Sequence, residues 1–265
     1  MPQVKSEGII LRSVNWKENS KIVTIFTNNA GKISVIDRGG RSLKSKRGRL
    51  MNFSRLELNY FKSDKSGMGY ISEADPLEVF TFEREGTLGR LTFGSAVLEL
   101  INDLVPEEEP VEGLYHLTLD YFRLIDRAAK SAITSIFIAY FLKLLSFLGY
   151  RPNFAGCIGC GTEADKTAVN NFNGSLNHNF SPERGGLVCG ACQIGGEYYI
   201  RLSSARLAQI YSLQTSSLSE AANIKAGFVE AEEIIELLKG FLKYQTDTRD
   251  LKSLKFLEKL KNANL

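Results

Sequence analysis

The sequence predicts an α+β chain of more than one domain, with a β-rich N-terminal third and a helical remainder that carries a short cysteine-bearing insertion. Three observations carry this reading. Apolar and β-branched residues fall into five short runs before residue 82. From about Thr87 the apolar spacing lengthens to that of a helix. All four cysteines lie between positions 157 and 192.

The five runs are Val4–Arg12, Ile22–Thr27, Lys32–Arg38, Phe53–Lys62 and Met68–Glu73. Their β-branched, Leu and aromatic residues suit a pleated, half-buried surface. Asn28-Asn29-Ala30-Gly31 predicts a hairpin, and Gly39-Gly40 ends the third run. Five strands over residues 1–82 suit a small closed barrel. The OB-fold is the common five-stranded form, and an SH3-like barrel is the competing arrangement.

Residues 83–265 form the expected helical domain. Leu98, Ile101, Asn102 and Val105 share one helical stripe that stops at Pro106, and Glu107-Glu108-Glu109-Pro110 then reads as a solvated loop. Tyr115–Ala128 is a second amphipathic helix. The strongest pattern is Ile133, Ile136, Phe137, Tyr140, Phe141, Leu144, Leu145 and Leu148 at helical spacing. Ile138, Leu142 and Phe147 make this helix apolar nearly all round, which predicts a position at the centre of a helical core. Gly149 and Pro152 end it. Residues 153–200 are rich in Gly and Asn, with hairpin character at Ala168–Phe172 and Leu176–Phe180. Helical patterning returns at Ser204–Leu213, Glu230–Tyr244 and Thr248–Leu260.

Composition narrows the function classes. The 265 residues are 43% hydrophobic and 24% charged, the balance of an ordinary globular protein rather than a disordered one. Met1–Arg12 lacks the cationic-then-apolar pattern of a secretory signal, and the run Ile136–Leu148 is interrupted by Lys143 and short for a bilayer. We therefore expect a soluble, intracellular protein with no membrane partner and with reduced thiols. Net charge is +3 but uneven. Residues 1–82 hold 14 Lys/Arg against 8 Asp/Glu, while the remainder holds 19 against 22. The N-terminal third is the part drawn to a polyanion.

Two constellations carry chemistry. Cys157-Ile158-Gly159-Cys160 and Cys189-Gly190-Ala191-Cys192 are C-x-x-C pairs 28 residues apart. Two such pairs fill the four positions of tetrahedral Zn²⁺ at about 2.3 Å per bond and leave none open, as in a structural site. One structural Zn²⁺ on Cys157, Cys160, Cys189 and Cys192 is the expectation. His178 reads as a hairpin surface residue rather than a ligand. The second constellation is Arg38, Arg41, Lys44, Lys46, Arg47 and Arg49, interleaved with Gly and Ser. Six cations on a short loop form an electrostatic arm of the kind that supplies sequence-independent nucleic-acid affinity. Trp16, in the polar stretch Asn15–Asn19, is a candidate stacking platform for bases, whereas most of Phe26, Phe53, Tyr60, Phe61 and Tyr70 belong to the core. Lys252, Lys255 and Lys259, opposite Leu251, Leu254 and Leu257, read as a solvated helix face. There is no H-E-x-x-H, G-x-S-x-G, P-loop, dinucleotide or zinc-deaminase pattern, so no catalytic centre is expected.

The order of these pieces resembles the RecO family of bacterial recombination mediators. Gly8–Arg12 is similar to its first strand, and Glu18–Thr27 with Gly31 to its second strand and turn. Arg38-Gly39-Gly40-Arg41 with Ser45 resembles its basic loop. Leu148–Pro152 followed by Cys157 and Cys160 resembles the approach to its zinc module, and Arg249–Leu254 its closing helix. The resemblance implies an N-terminal OB-fold, a helical domain and an embedded zinc element in a cytoplasmic, nucleoid-associated protein. It implies binding of single- and double-stranded DNA, annealing of complementary strands, and help in loading RecA onto strands coated by SSB. RecR and the acidic C-terminal tail of SSB are the partners it suggests. A zinc-ribbon transcription or translation factor with an OB-fold is the alternative, and a metal-dependent enzyme a further one that four cysteine ligands disfavour.

Overall fold

A computed structural model describes residues 3–42, 50–62, 68–164, 177–225, 228–246 and 251–255. The chain divides into two compact units, Met1–Arg127 with Leu251–Leu265, and Ala128–Asp250.

The first unit is built on five strands: β1 (Gln3–Trp16), β2 (Ser20–Thr27), β3 (Gly31–Asp37), β4 (Ser54–Phe61) and β5 (Gly69–Val79). They close into a barrel in the order β1-β2-β3-β5-β4, with β4 returning to β1. Side-chain alternation sends Ile10, Val23, Ile25, Ile33, Val35, Leu56, Leu58, Tyr60, Ile71 and Ala74 into the lumen. The closing contact is narrow, since β3 and β5 run parallel and pair only at Val35↔Gly69 and Ile36↔Tyr70. β5 also runs past the expected Glu73 through Pro76 to Val79, because β4 stays paired with it along that length.

Two helices of the same unit, α1 (Thr87–Leu104) and α2 (Leu114–Arg127), follow the barrel. Phe53, Phe80, Phe82 and Phe122 form an aromatic cluster with ring centroids 5.1–5.9 Å apart. Arg90 is fully buried, and its guanidinium donates to the Glu85 carbonyl at 2.9 and 3.2 Å and to that of Ile125 near the end of α2, where the helix dipole is negative. Buried Leu251 and Leu254 belong to this unit too, and Ser253 is held there by Glu99 at 2.9–3.0 Å. Leu257 and Lys259 lie outside the described residues.

The Glu107–Pro110 stretch, expected as a solvated loop, has exposed side chains but a backbone bonded to the barrel. Lys32 and Glu107 form a parallel bridge, and the Glu108 N–H donates to the Lys32 carbonyl at 2.8 Å. The apolar period could not reveal this, because the contact is between backbones 75 residues apart in sequence.

The second unit is organised around α3 (Ile133–Phe147), which meets α4 (Ser204–Thr215), α5 (Leu218–Ala221) and α6 (Phe228–Gln245). Eleven of its fifteen residues are buried, in keeping with its all-round apolar pattern. With the preceding 3-10 turn it makes a helical run, Lys130–Phe147, long and apolar enough to cross a membrane by composition, but 67% of that window is buried inside the protein. A four-stranded sheet in the order β6-β8-β7-β9 completes the unit, from β6 (Asn153–Cys157), β7 (Asn177–Ser181), β8 (Gly186–Val188) and β9 (Ile200–Ser203). Phe154 and Phe180 stack at 5.0 Å in its core, with Phe241 of α6 at 6.0 Å from Phe180. Of the expected hairpin, Asn177–Phe180 lies in β7, and residues 168–172 are outside the described residues.

Candidate metal centre and candidate nucleic-acid face

Each C-x-x-C pair is shaped by its own backbone. After β6, the Gly161 N–H closes on the Cys157 carbonyl at 2.9 Å, and Gly161 takes a positive φ of 77°. After β8, Gly190–Cys192 is a 3-10 turn closed by the Cys192 N–H on the Cys189 carbonyl at 2.9 Å. β6 pairs with β8, and the Ile158 N–H donates to the Leu187 carbonyl at 2.9 Å, so the two turns are brought side by side. All four sulfurs then lie within 4.8 Å of one another.

This cluster fits a tetrahedral ion. Bonds of about 2.3 Å to a central Zn²⁺ require sulfur–sulfur edges of about 3.8 Å, and Cys160 Sγ to Cys189 Sγ is 3.7 Å. Gly159 faces Cys192 so closely that a Cβ there would sit 3.0 Å from its Sγ. The Cys157 sulfur accepts from the backbone N–H groups of Cys189 and Gly159 at 3.3 and 3.4 Å. The Cys189 N–H is the main cause that holds the Cys157 thiol down at about 6. Thr162, 3.2 Å from Cys160 Sγ, lowers that thiol as well. Hydrogen bonding of its thiol to Cys189 first, then to Cys160 and Cys157, pushes Cys192 up to about 12. So tight a group carries several negative charges only around a cation. His178 is not part of the cluster. It lies half-buried in β7 opposite Leu202, with Nε2 3.2 Å from Ser204 Oγ.

Behind the second turn, Glu197 anchors the chain. It accepts from Ser181 Oγ and from Tyr199 Oη at 2.6 Å, and Arg184 lies 3.8 Å away. The hydrogen bond from Ser181, then that from Tyr199, hold its carboxyl below the usual range.

The barrel carries the second site. Trp16 is not in a loop. It ends β1, paired with Ser20, because the hairpin closes in a short turn with Lys17 in the left-handed region. It is nonetheless exposed, at 42%. Arg41 reaches the same turn, its guanidinium donating to the Lys17 carbonyl at 2.9 Å and its N–H to that of Asn19 at 3.3 Å. Arg38 is exposed and lies over the Tyr70 ring, 4.3 Å from its centroid, and Tyr70 stacks on Phe61 at 4.9 Å. Trp16, Arg38 and Arg41 are thus placed by the β1–β2 turn and the residues after β3. Lys44, Lys46, Arg47 and Arg49 lie outside the described residues.

Phe26 and Tyr60 are buried, as expected of core aromatics, whereas Phe61 and Tyr70 are only half-buried. They end a row that sequence reasoning missed. Val14, Ile22, Ile36, Tyr70 and Phe61 are successive cross-strand partners over all five strands. None belongs to the lumen cluster. At about 4.8 Å between strands the row is about 19 Å long. Its signal was present in Ile22–Phe26, where apolar residues stand on both parities of one strand and so leave the barrel's outer face apolar as well. Lys62, directly after Phe61, was also missed. Its ammonium donates to Glu108 at 2.7 Å, and this bond raises its pKa.

A cationic β-barrel joined in one chain to a helical unit with a four-cysteine cluster able to hold a metal ion is the class of protein that fold and sites define. Comparison with known proteins gives the family. Residues 1–80 match the family model for the N-terminal part of recombination protein O, and residues 85–255 that for its C-terminal part. Among curated relatives, the DNA repair protein RecO of Symbiobacterium thermophilum is 31% identical, covering 97% of both chains. That of Pelotomaculum thermopropionicum is 29% identical over 99% of this chain and 96% of its own, and that of Alkaliphilus metalliredigens 25% over 97% and 99%. The chain belongs to the RecO family of DNA repair and recombination proteins.

Proposed function

We infer that this protein is a recombination mediator that works by binding rather than turnover. In this reading the barrel is an OB-fold that holds single and double strands of DNA through their phosphates, without reading base sequence. The observation that carries it is the layered group Arg38–Tyr70–Phe61 on the outer barrel, at the root of the six-cation loop. A guanidinium plane backed by aromatic rings offers a stacking surface to an unpaired base and leaves N–H groups for phosphate. Cations along the loop then lower the repulsion between two strands brought together, which favours their annealing.

Zn²⁺ fits the thiolate cluster, and Cys157, Cys160, Cys189 and Cys192 would hold it. Its part there is to cross-link a glycine-rich insertion that has little apolar core of its own. Four thiolates complete the tetrahedral set, so we assign the centre to structure and no catalytic role to the chain. RecA loading onto SSB-coated strands, with RecR and the SSB tail as partners, in the cytoplasm beside the nucleoid, completes the proposal and rests on the family resemblance alone. The test is annealing of complementary strands pre-coated with SSB, with and without the protein. Faster pairing supports the reading, and an unchanged rate overturns it.

A further inference from the structure

Lys62 follows Phe61 at the end of β4, one residue from the stacked pair Phe61–Tyr70 and its Arg38 cover. It stands at the mouth of the seam where β3 and β5 barely pair. A cavity of about 620 Å³ opens there, lined by Ile33, Val35, Tyr60 and Met68 with Lys62 and Glu108 among its polar groups. The Lys62–Glu108 pair is open to water on both sides, with side chains 51% and 58% exposed. Exposed pairs of this kind contribute little to stability, so the fold has little need of it.

The acidic strap, by contrast, is positioned by its backbone. The Glu108 N–H bonds to the Lys32 carbonyl, and the buried Lys32 ammonium donates to the Asn102 carbonyl with Glu107 3.8 Å away. Glu109 packs so closely on the β2–β3 turn that a Cβ on Gly31 would lie 2.3 Å from its carbonyl oxygen. Gly31 has a φ of 68°, and Glu108 itself sits in the left-handed region at 58°. A carboxylate is therefore delivered to Lys62 by contacts that do not depend on Lys62.

Carboxylate and phosphate oxygens accept from an ammonium in the same way. On the reading of the barrel face as a DNA interface, a strand lying along Arg38, Tyr70 and Phe61 that continues over the rim of the barrel reaches Lys62 at the mouth. We propose that Lys62 is a phosphate contact at the rim of this face, and that Glu108 is a built-in stand-in for that phosphate, displaced when single-stranded DNA binds. The exchange is inexpensive because the exposed pair is weak. Its consequence is that Lys62 contributes less to affinity, and to salt dependence, than a free cation would.

The test uses the full-length protein and a fluorescently labelled oligothymidylate, with anisotropy titrations over a range of salt. Glu108→Gln should bind up to about five-fold more tightly at low salt, the limit set by an exposed pair. Its log–log salt slope should steepen by up to about 0.7, the full share of one phosphate contact on a single strand, because Lys62 no longer gives up a carboxylate to make it. Glu107→Gln removes the same charge from the strap beside the buried Lys32, and should leave the slope as it is. Lys62→Gln should matter little in the wild-type background but should cancel the gain of Glu108→Gln. An unchanged affinity and slope in a folded Glu108→Gln protein overturns the proposal, as does a gain that survives Lys62→Gln. If the wild-type protein itself fails to bind the oligonucleotide, the barrel-face reading falls and this proposal falls with it. Wild-type binding without a Glu108 effect removes the proposal alone.

Discussion

Removing the Tyr70 ring tests the barrel face most directly. Tyr70 is the middle layer of a stack, with Phe61 4.9 Å from it and the Arg38 guanidinium 4.3 Å from its centroid. Both faces of the ring are covered, so a base stacks on the Arg38 guanidinium that Tyr70 backs. Losing that backing in Tyr70→Ala, a cation–π contact worth about 0.5–1 kcal/mol at an exposed site, should weaken single-strand binding by roughly 2- to 5-fold. Fold stability should drop only modestly, by about 0.5–1.5 kcal/mol for the lost Phe61 pair, because Tyr70 is half-buried and outside the lumen cluster. Tyr70→Phe keeps the ring and should keep the affinity. Duplex binding should fall less, since paired bases are already stacked within the helix. Anisotropy with single strands and duplex of matched length, beside a thermal melt of each variant, separates the two effects. A folded Tyr70→Ala protein that binds single strands like the wild type would refute the reasoning and move the interface off this face.

The remaining expectations concern metal, loop and acid. Purified protein should hold one zinc per chain, and Cys160→Ser or Cys189→Ser should lower that content and destabilise the insertion, whereas a wild-type content near zero by elemental analysis would sink the assignment. Neutralising Lys44, Lys46 and Arg47 together should flatten the salt slope for single strands by about two units, evenly across unrelated sequences, and an unchanged slope would make the loop a mere solubility device. Glu197 has a depressed carboxyl pKa, so its contribution is present above the ordinary carboxylate value and is lost as pH falls through its own. Glu197→Gln should therefore melt earlier than the wild type at neutral pH and converge with it in acid, and an equal gap across the whole pH range would contradict this cause.

Much of the fold was legible in residue order. Runs of β-branched, Leu and aromatic residues bounded by turn formers marked all five barrel strands within a few residues at most boundaries, because such side chains suit a pleated surface with one face in the lumen. The all-round apolar pattern of Ile133–Leu148 announced a core helix, and α3 is one. The C-x-x-C spacing located the four-cysteine cluster, since two cysteines three apart can grip one ion with local backbone alone. Other features were not legible. The short β6, β8 and β9 have too few residues for a period to show, and β9 ends where its Ser203 caps α4. Trp16 looked like a loop residue because polarity around it was read without the register that pairs it with Ser20.

Composition and spacing placed the positive charge in the N-terminal third and gathered the four thiols into two pairs, since both are properties of residues near one another in the chain. Which aromatic ring lies under which cation is a property of strand register. Ile36 meets Tyr70 across a parallel closure that joins residues 34 positions apart, and Lys62 meets Glu108 across 46. Such pairings are chosen by the closing of the barrel as a whole, through backbone hydrogen bonds that every residue type offers alike, and side-chain identity along the chain carries little record of them.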